Sequence, residues 1–172
     1  WTQAAKRLIV DSRVNTTRAI VHALRKLERR DGGKPVLINA SAVGYYGPRG
    51  DEPVTEADSA GSDFLALVCT QWEAAAREAT DARVVLLRTG FVVGKGGALP
   101  LMMLPFRLFV GGPLGSGRQW MSWIHIDDVV GLIRYALENE TVVGPINGSA
   151  PEPVRNRDFV HTLGRVMRRP SF

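Results

Sequence analysis

Ser122, His125, Asp127 and Asp128 lie together in the run MSWIHIDDVV, where a hydroxyl, an imidazole and two carboxylates fall within one short stretch. A histidine beside a carboxylate is the usual equipment for general acid/base chemistry, and alternation along a strand puts His125 and Asp127 on one side. An aspartate at this point is equally a normal helix cap, and that structural reading is preferred. Ser122 would complete a hydrolase-like triad, but no G-x-S-x-G elbow occurs in the chain, so nucleophilic hydrolysis is set aside. Tyr45 and Tyr46 follow a strand-like run and carry phenolic protons, though tyrosines in such places more often pack. GKGGA and GPLGSG are glycine-rich, yet neither is a G-x-x-x-x-G-K-[ST] loop and no G-x-G-x-x-G is present. They read as turns that permit close backbone approach. The single Cys69 and the scattered His22, His125 and His161 offer no spacing for a metal site.

These residues need elements to hold them. Over residues 3 to 30, Leu8, Ile9, Ile20, Val21, Leu24 and Leu27 recur at three- and four-residue spacing, which predicts an amphipathic helix ended by Gly32 and Gly33. VLINA (36 to 40) reads as a strand, followed by the turn SAVGYYG. SDFLALVCTQWEAAA (62 to 76) reads as a second helix capped by Ser62 or Asp63, with Leu65, Val68, Trp72 and Ala76 on one face. RVVLLRTG (83 to 90) is apolar almost throughout, the pattern of a strand buried on both sides. Ala98 to Val110 should be kinked or divided by Pro105. SWIHI (122 to 126) is extended, Asp127 or Asp128 should cap the helix VVGLIRYALENE, PINGSA should form a short strand, and Asn156 should start the last helix. Strands alternating with helices predict an α/β fold with a mostly parallel sheet. In such sheets ligands bind beyond the carboxyl ends of the strands, which singles out SAVGYYG, RTGFVVGKGG and the approach to WIHIDD.

Composition narrows the classes further. The chain has 172 residues, 45% hydrophobic and 23% charged, the balance of one globular domain. No apolar run approaches the roughly 20 residues of a membrane-spanning helix. The net charge of +5 does not imply a nucleic-acid partner. Arg25, Lys26, Arg29 and Arg30 end a helix, where cations are favoured, and no basic-aromatic interleaving is present. One cysteine suits a reducing compartment. The chain opens on Trp1 and stops at RRPSF just after a helix, so it reads as a segment of a longer protein.

Three of these stretches share one pattern: a strand followed by SAVGYYG, a strand followed by RTGFVVG, and GSGRQWMSWIHIDDVV running into a helix. In this the chain resembles the back part of an extended short-chain dehydrogenase/reductase, of the NAD-dependent epimerase/dehydratase superfamily. DFLALVCTQWEAAA, LPFRLFVGGPLGSGRQW and NGSAPEPV resemble more narrowly its atypical SDR39U1-like epimerase branch, which includes bacterial and plastid members linked to cell division. The resemblance covers essentially the whole chain. It implies a Rossmann-like doubly wound parallel sheet, with residues 1–172 forming part of an NAD(P)-binding domain and part of its substrate-side region. The glycine-rich N-terminal part of the family pattern would lie upstream.

The resemblance also says what to expect of the site. Backbone at Gly90, Phe91 and Val92 would lie along a nicotinamide, Ser41 near its ribose, and Arg13 would face the same cleft. NADP is the expected cofactor, with NAD the alternative. Active superfamily members carry Tyr-x-x-x-Lys on the second helix; aligned on Glu73, these positions hold Leu65 and Cys69, so no catalytic residue is assigned. Ala42 takes the place of the strand-end serine or threonine, with Ser41 one residue early. Met121 stands where sugar-nucleotide enzymes often have a phosphate-binding arginine, which disfavours such a substrate unless Arg118 or Arg107 compensates. The implied function is an NADP(H)-binding atypical oxidoreductase or epimerase acting on an unknown small molecule. The alternative is a non-catalytic, cofactor-binding regulator of cell or plastid division. A cytoplasmic protein is expected, with the plastid stroma as the alternative.

Overall fold

The computed structural model describes residues 2–26 and 33–172. Two compact units emerge, Trp1–Arg88 with Leu132–Asn147, and Thr89–Gly131 with Gly148–Phe172.

The first unit is built from α1 (Gln3–Arg25), β1 (Val36–Ala42), a one-turn 3-10 helix (Val43–Tyr46), α2 (Phe64–Arg77) and β2 (Arg83–Thr89). The end of α4 (Ile126–Glu138) and β6 (Gly144–Gly148) complete it. β1, β2 and β6 form one sheet in the order β1-β2-β6, the α/β arrangement with a parallel sheet that the alternating pattern implies. Thr2 caps α1 by accepting the Ala5 N–H at 3.2 Å, satisfying one of the orphan donors of the first turn. The buried side of α1 is Val14, Thr17 and Val21, whereas Leu8 and Ile20 are exposed, so the apolar stripe is narrower than the spacing suggested. Leu27, Arg29, Arg30 and Gly32, expected at the end of this helix, lie outside the described residues. Asp63 caps α2 by accepting the Ala66 N–H at 2.8 Å. Val21, Leu37, Ala76, Ala79 and Leu86 form the core where α1 and α2 meet the sheet. Small alanines on α2 let the helix lie close to β1, and branched residues of β2 fill the remainder.

In the second unit, β3 (Phe91–Val93) pairs in parallel with β5 (Trp123–His125), Phe91 opposite Trp123. β4 (Trp120–Met121) pairs antiparallel with β7 (Val154–Arg155). α3 (Leu99–Arg107) continues through Pro105 and stops two residues later. The carbonyl of Pro105 accepts the N–H groups of Leu108 and Val110, and Phe109 then turns at φ 61°. The helix is therefore continuous through the proline rather than divided by it. Phe106 is buried against Gly111 and Gly164, where a Cβ would come within 2.3 and 3.2 Å of its ring. α5 (Asn156–Met167) begins at the expected residue. α4 starts directly at Ile126, without the expected side-chain cap. Asp127 and Asp128 instead occupy its first turn, and His125 Nδ1 accepts the Asp127 N–H at 3.2 Å. The imidazole thus takes over the capping work expected of the aspartates.

Candidate functional site

Ser41, at the end of β1, is buried, and its hydroxyl donates to Glu73 Oε1 at 2.8 Å. Glu73 lies on the inward face of α2, one helical turn beyond Cys69. It also receives Arg88 through Nε at 2.8 Å and Nη2 at 2.9 Å, the bidentate fork of a charge-assisted pair. Arg88 ends the apolar face of β2 and is 1% exposed. Its Nη1 donates to Tyr46 Oη at 2.9 Å, and Tyr46 in turn donates to Asn147 Oδ1 at 2.7 Å. The guanidinium carbon stands 3.5 Å from the centre of the Tyr45 ring, a cation-π contact. Burial opposes the charge on Arg88, but the hydrogen bonds it donates to Glu73 and Tyr46 outweigh this and hold the guanidinium protonated. No buried side-chain nitrogen or oxygen among the described residues lacks a partner.

This network engages both tyrosines. Tyr46 is committed on both sides of its hydroxyl, and Tyr45 offers its ring to Arg88. Their packing reading holds. The network also accounts for two charges that the apolar patterning leaves unexplained, Glu73 inside a helix of alanine and valine and Arg88 inside a buried strand. The signal was available, since two opposite charges on surfaces that must be buried need one another.

Leu65 and Cys69 differ in their surroundings. Leu65 is 47% exposed, while Cys69 is 5% exposed. Burial pushes the Cys69 thiol up, against smaller opposing effects of the Ala42 backbone and the Ser41 hydroxyl. It stays protonated at neutral pH and cannot act as a thiolate or a cation.

Arg13 lies on α1, its Nη1 donating to the Ile9 carbonyl at 3.0 Å and its guanidinium 5.4 Å from the Trp72 ring. Trp72 Nε1 donates to Thr17 Oγ1 at 2.9 Å, and Thr17 donates to Asn39 Oδ1 at 3.2 Å, joining both helices to β1. Arg13 and Ser41 belong to the first unit.

Gly90, Phe91 and Val92 belong to the second. A Cβ on Gly90 would come within 2.5 Å of the Ser122 carbonyl oxygen, so only glycine fits this crossing. The N–H of Gly90 donates to Gly148 O at 2.9 Å and that of Phe91 to Ser122 O at 2.7 Å. A ring laid along this strand would therefore meet side chains and carbonyl oxygens rather than these two amide hydrogens. The Phe91 ring meets Phe159 edge-on, with centroids 5.7 Å apart. Met121 has its sulfur 3.2 Å from Asn156 Nδ2. His125 is exposed, 3.4 Å from Asp127, and no group of three metal-ligating side chains occurs among the described residues.

Residues 1–147 match the NAD dependent epimerase/dehydratase family. A chloroplastic SDR39U1 homologue of Arabidopsis thaliana, an epimerase family protein, is 45% identical over the whole of this chain and half of its own length. The chain belongs to this family. Within it the protein is an SDR39U1-like member. Human SDR39U1, solved with NADPH, superposes with a TM-score of 0.90 at 37% identity, covering all of this chain and 58% of that one. A nucleoside-diphosphate sugar epimerase from Corynebacterium glutamicum gives a TM-score of 0.82 at 40% identity, over 95% of this chain and 35% of the other. The chain spans about half the length of the curated relatives it matches. None of the helices among the described residues is long and apolar enough to cross a membrane.

Proposed function

We propose that this protein is an NADP(H)-binding atypical short-chain dehydrogenase/reductase, an oxidoreductase or epimerase of small molecules. The observation that carries the reading is the likeness, at 37% identity and a TM-score of 0.90, to a human protein that was solved with NADPH. Gly90, Phe91 and Val92 would line the nicotinamide, Ser41 would stand by its ribose, and Arg13 would hold a cofactor or substrate oxygen. These residues fit that use. Arg13 bonds locally through one of its two terminal nitrogens, leaving donors of its fork for a further acceptor. A bound nicotinamide would supply or accept the hydride. The chain's own contribution is to place it: the Glu73–Arg88 pair fixes the end of β1 against α2, and the tight Gly90 crossing fixes the strand edge.

One observation favours a second reading. Leu65 carries no exchangeable proton and Cys69 is a buried neutral thiol, so neither performs the proton transfer that is commonly worth about 100- to 10,000-fold. A cofactor held as a structural or sensing ligand is consistent with this. The test is to purify the full-length protein, identify any copurified dinucleotide by mass spectrometry, and follow reduced-nicotinamide absorbance against a carbonyl panel. Copurified NADP(H) with turnover supports the enzyme, and NADP(H) without turnover supports the second reading. A protein that neither retains nor binds NADP(H) overturns both.

A further inference from the structure

A pocket of about 430 Å³ opens in the second unit immediately after β3, within the size range of small-molecule sites. Its wall is apolar, from Val93, Leu99 and Met103, each partly buried. Its polar members are all basic: Lys95 from the glycine-rich loop, Arg107 from the last turn of α3, and His125 from the end of β5. No acidic residue lines it, and among the described residues no carboxylate pairs with Lys95 or Arg107. Asp127, which is 86% exposed at its side chain, lies 3.4 Å from His125 and does not line the pocket.

An apolar wall bordered by two unpaired cations and an imidazole matches a particular ligand chemistry. From this we infer that the pocket binds a small organic anion with an apolar body, its carboxylate or phosphate ester paired with Lys95 and Arg107. The hydrocarbon part rests on Val93, Leu99 and Met103. A polyhydroxylated sugar would find few hydrogen-bonding groups on that wall, whereas an alkyl or aryl chain gains from leaving water. Arg107 offers a planar fork to two oxygens, and Lys95, on a flexible stem, offers a point charge. The inference rests on the proposed function in one respect: it names the substrate class of that site, because the pocket begins at the residue following Val92.

The test uses calorimetric titration of the full-length protein with octanoate, octyl phosphate and octan-1-ol, which share a chain and differ in the head group. Octanoate or octyl phosphate should bind at least about tenfold more tightly than octanol, and whichever binds more tightly identifies the head group. Lys95→Gln with Arg107→Gln should remove most of that preference, while circular dichroism and the melting midpoint show the variant folded. Leu99→Asn should weaken all three probes together. Octanol binding as tightly as both anions, an unchanged preference in the double variant, or no binding of any probe overturns the proposal. Dinucleotide content is measured on the same preparations. Bound dinucleotide without anion binding refutes the pocket alone, and anion binding without dinucleotide leaves the pocket standing while the cofactor reading fails.

Discussion

Glu73→Gln should be the most damaging conservative change in the first unit. The substitution keeps the volume and one accepting oxygen, but it removes the negative charge from a carboxylate that takes three hydrogen bonds of 2.8 to 2.9 Å. Arg88 is 1% exposed and its pKa is raised, so it cannot shed its proton to escape. Its remaining partners, the Tyr46 hydroxyl, the Glu56 carbonyl and the Tyr45 ring, carry no charge to neutralise it. Breaking one side of a buried pair in this way costs about 3–5 kcal/mol. For a domain of this size, where a kcal/mol moves the midpoint by about 2–4 °C, that is a fall of about 6–20 °C in thermal unfolding. The paired replacement Glu73→Leu with Arg88→Met removes both charges and should recover most of the loss. The assay is circular-dichroism melting of the variants beside the wild type. A midpoint within about 2 °C of wild type for Glu73→Gln, or a double variant as unstable as the sum of its singles, would show that the pair does not bear on stability as argued.

Asp63→Ala removes the carboxylate that accepts the Ala66 N–H and should cost about 1 kcal/mol in denaturant unfolding, with Asp63→Asn close to wild type. Native Cys69 should resist alkylation until the protein unfolds, because it is buried and held as the thiol; rapid labelling of folded protein would contradict this. The native state disfavours the thiolate, so stability from this residue is full below the ordinary thiol value of 9.0 and declines as pH rises above it. Cys69→Ala should flatten that alkaline decline in a pH series of melting curves. Joining Leu65→Tyr with Cys69→Lys should cost about 1–3 kcal/mol, nearly all from the buried position, since Leu65 is half exposed. Single variants measured by urea titration separate the two, and a larger loss from Leu65→Tyr would refute the assignment.

The elements of this chain were largely legible because its apolar spacing is regular: the β1 strand, the α2 and α5 starts and the buried β2 all stand where the pattern puts them. Three things were hidden. The capping of α4 by His125 rather than by Asp127 depends on how tightly β5 turns into the helix, a matter of backbone path rather than residue type. Pro105 sits in the last turn of its helix, where its clash is with a single carbonyl, so α3 runs past it. The short β3 and β7 are too brief for alternation to register, and they exist because Gly90 lets the chain pass close to Ser122 and because Trp120 has a partner at Arg155. Of the site, the family motifs locate the loops and the two buried charges call for partners, but that Glu73 and Arg88 pair with each other is set by tertiary packing.

Tyr46 and Asn147 are separated by 101 positions in the chain, yet they share one hydrogen bond. A ribosome delivers Ser41, Tyr46, Glu73 and Arg88 long before it delivers Asn147. The charge pair can close early, while the phenol must wait for its acceptor with water as a substitute. A nascent or cleaved chain that ends before residue 147 would lack this outer tie of the network. The strand that carries Asn147 would then close the network last, and the SAVGYYG turn would be looser until it arrives.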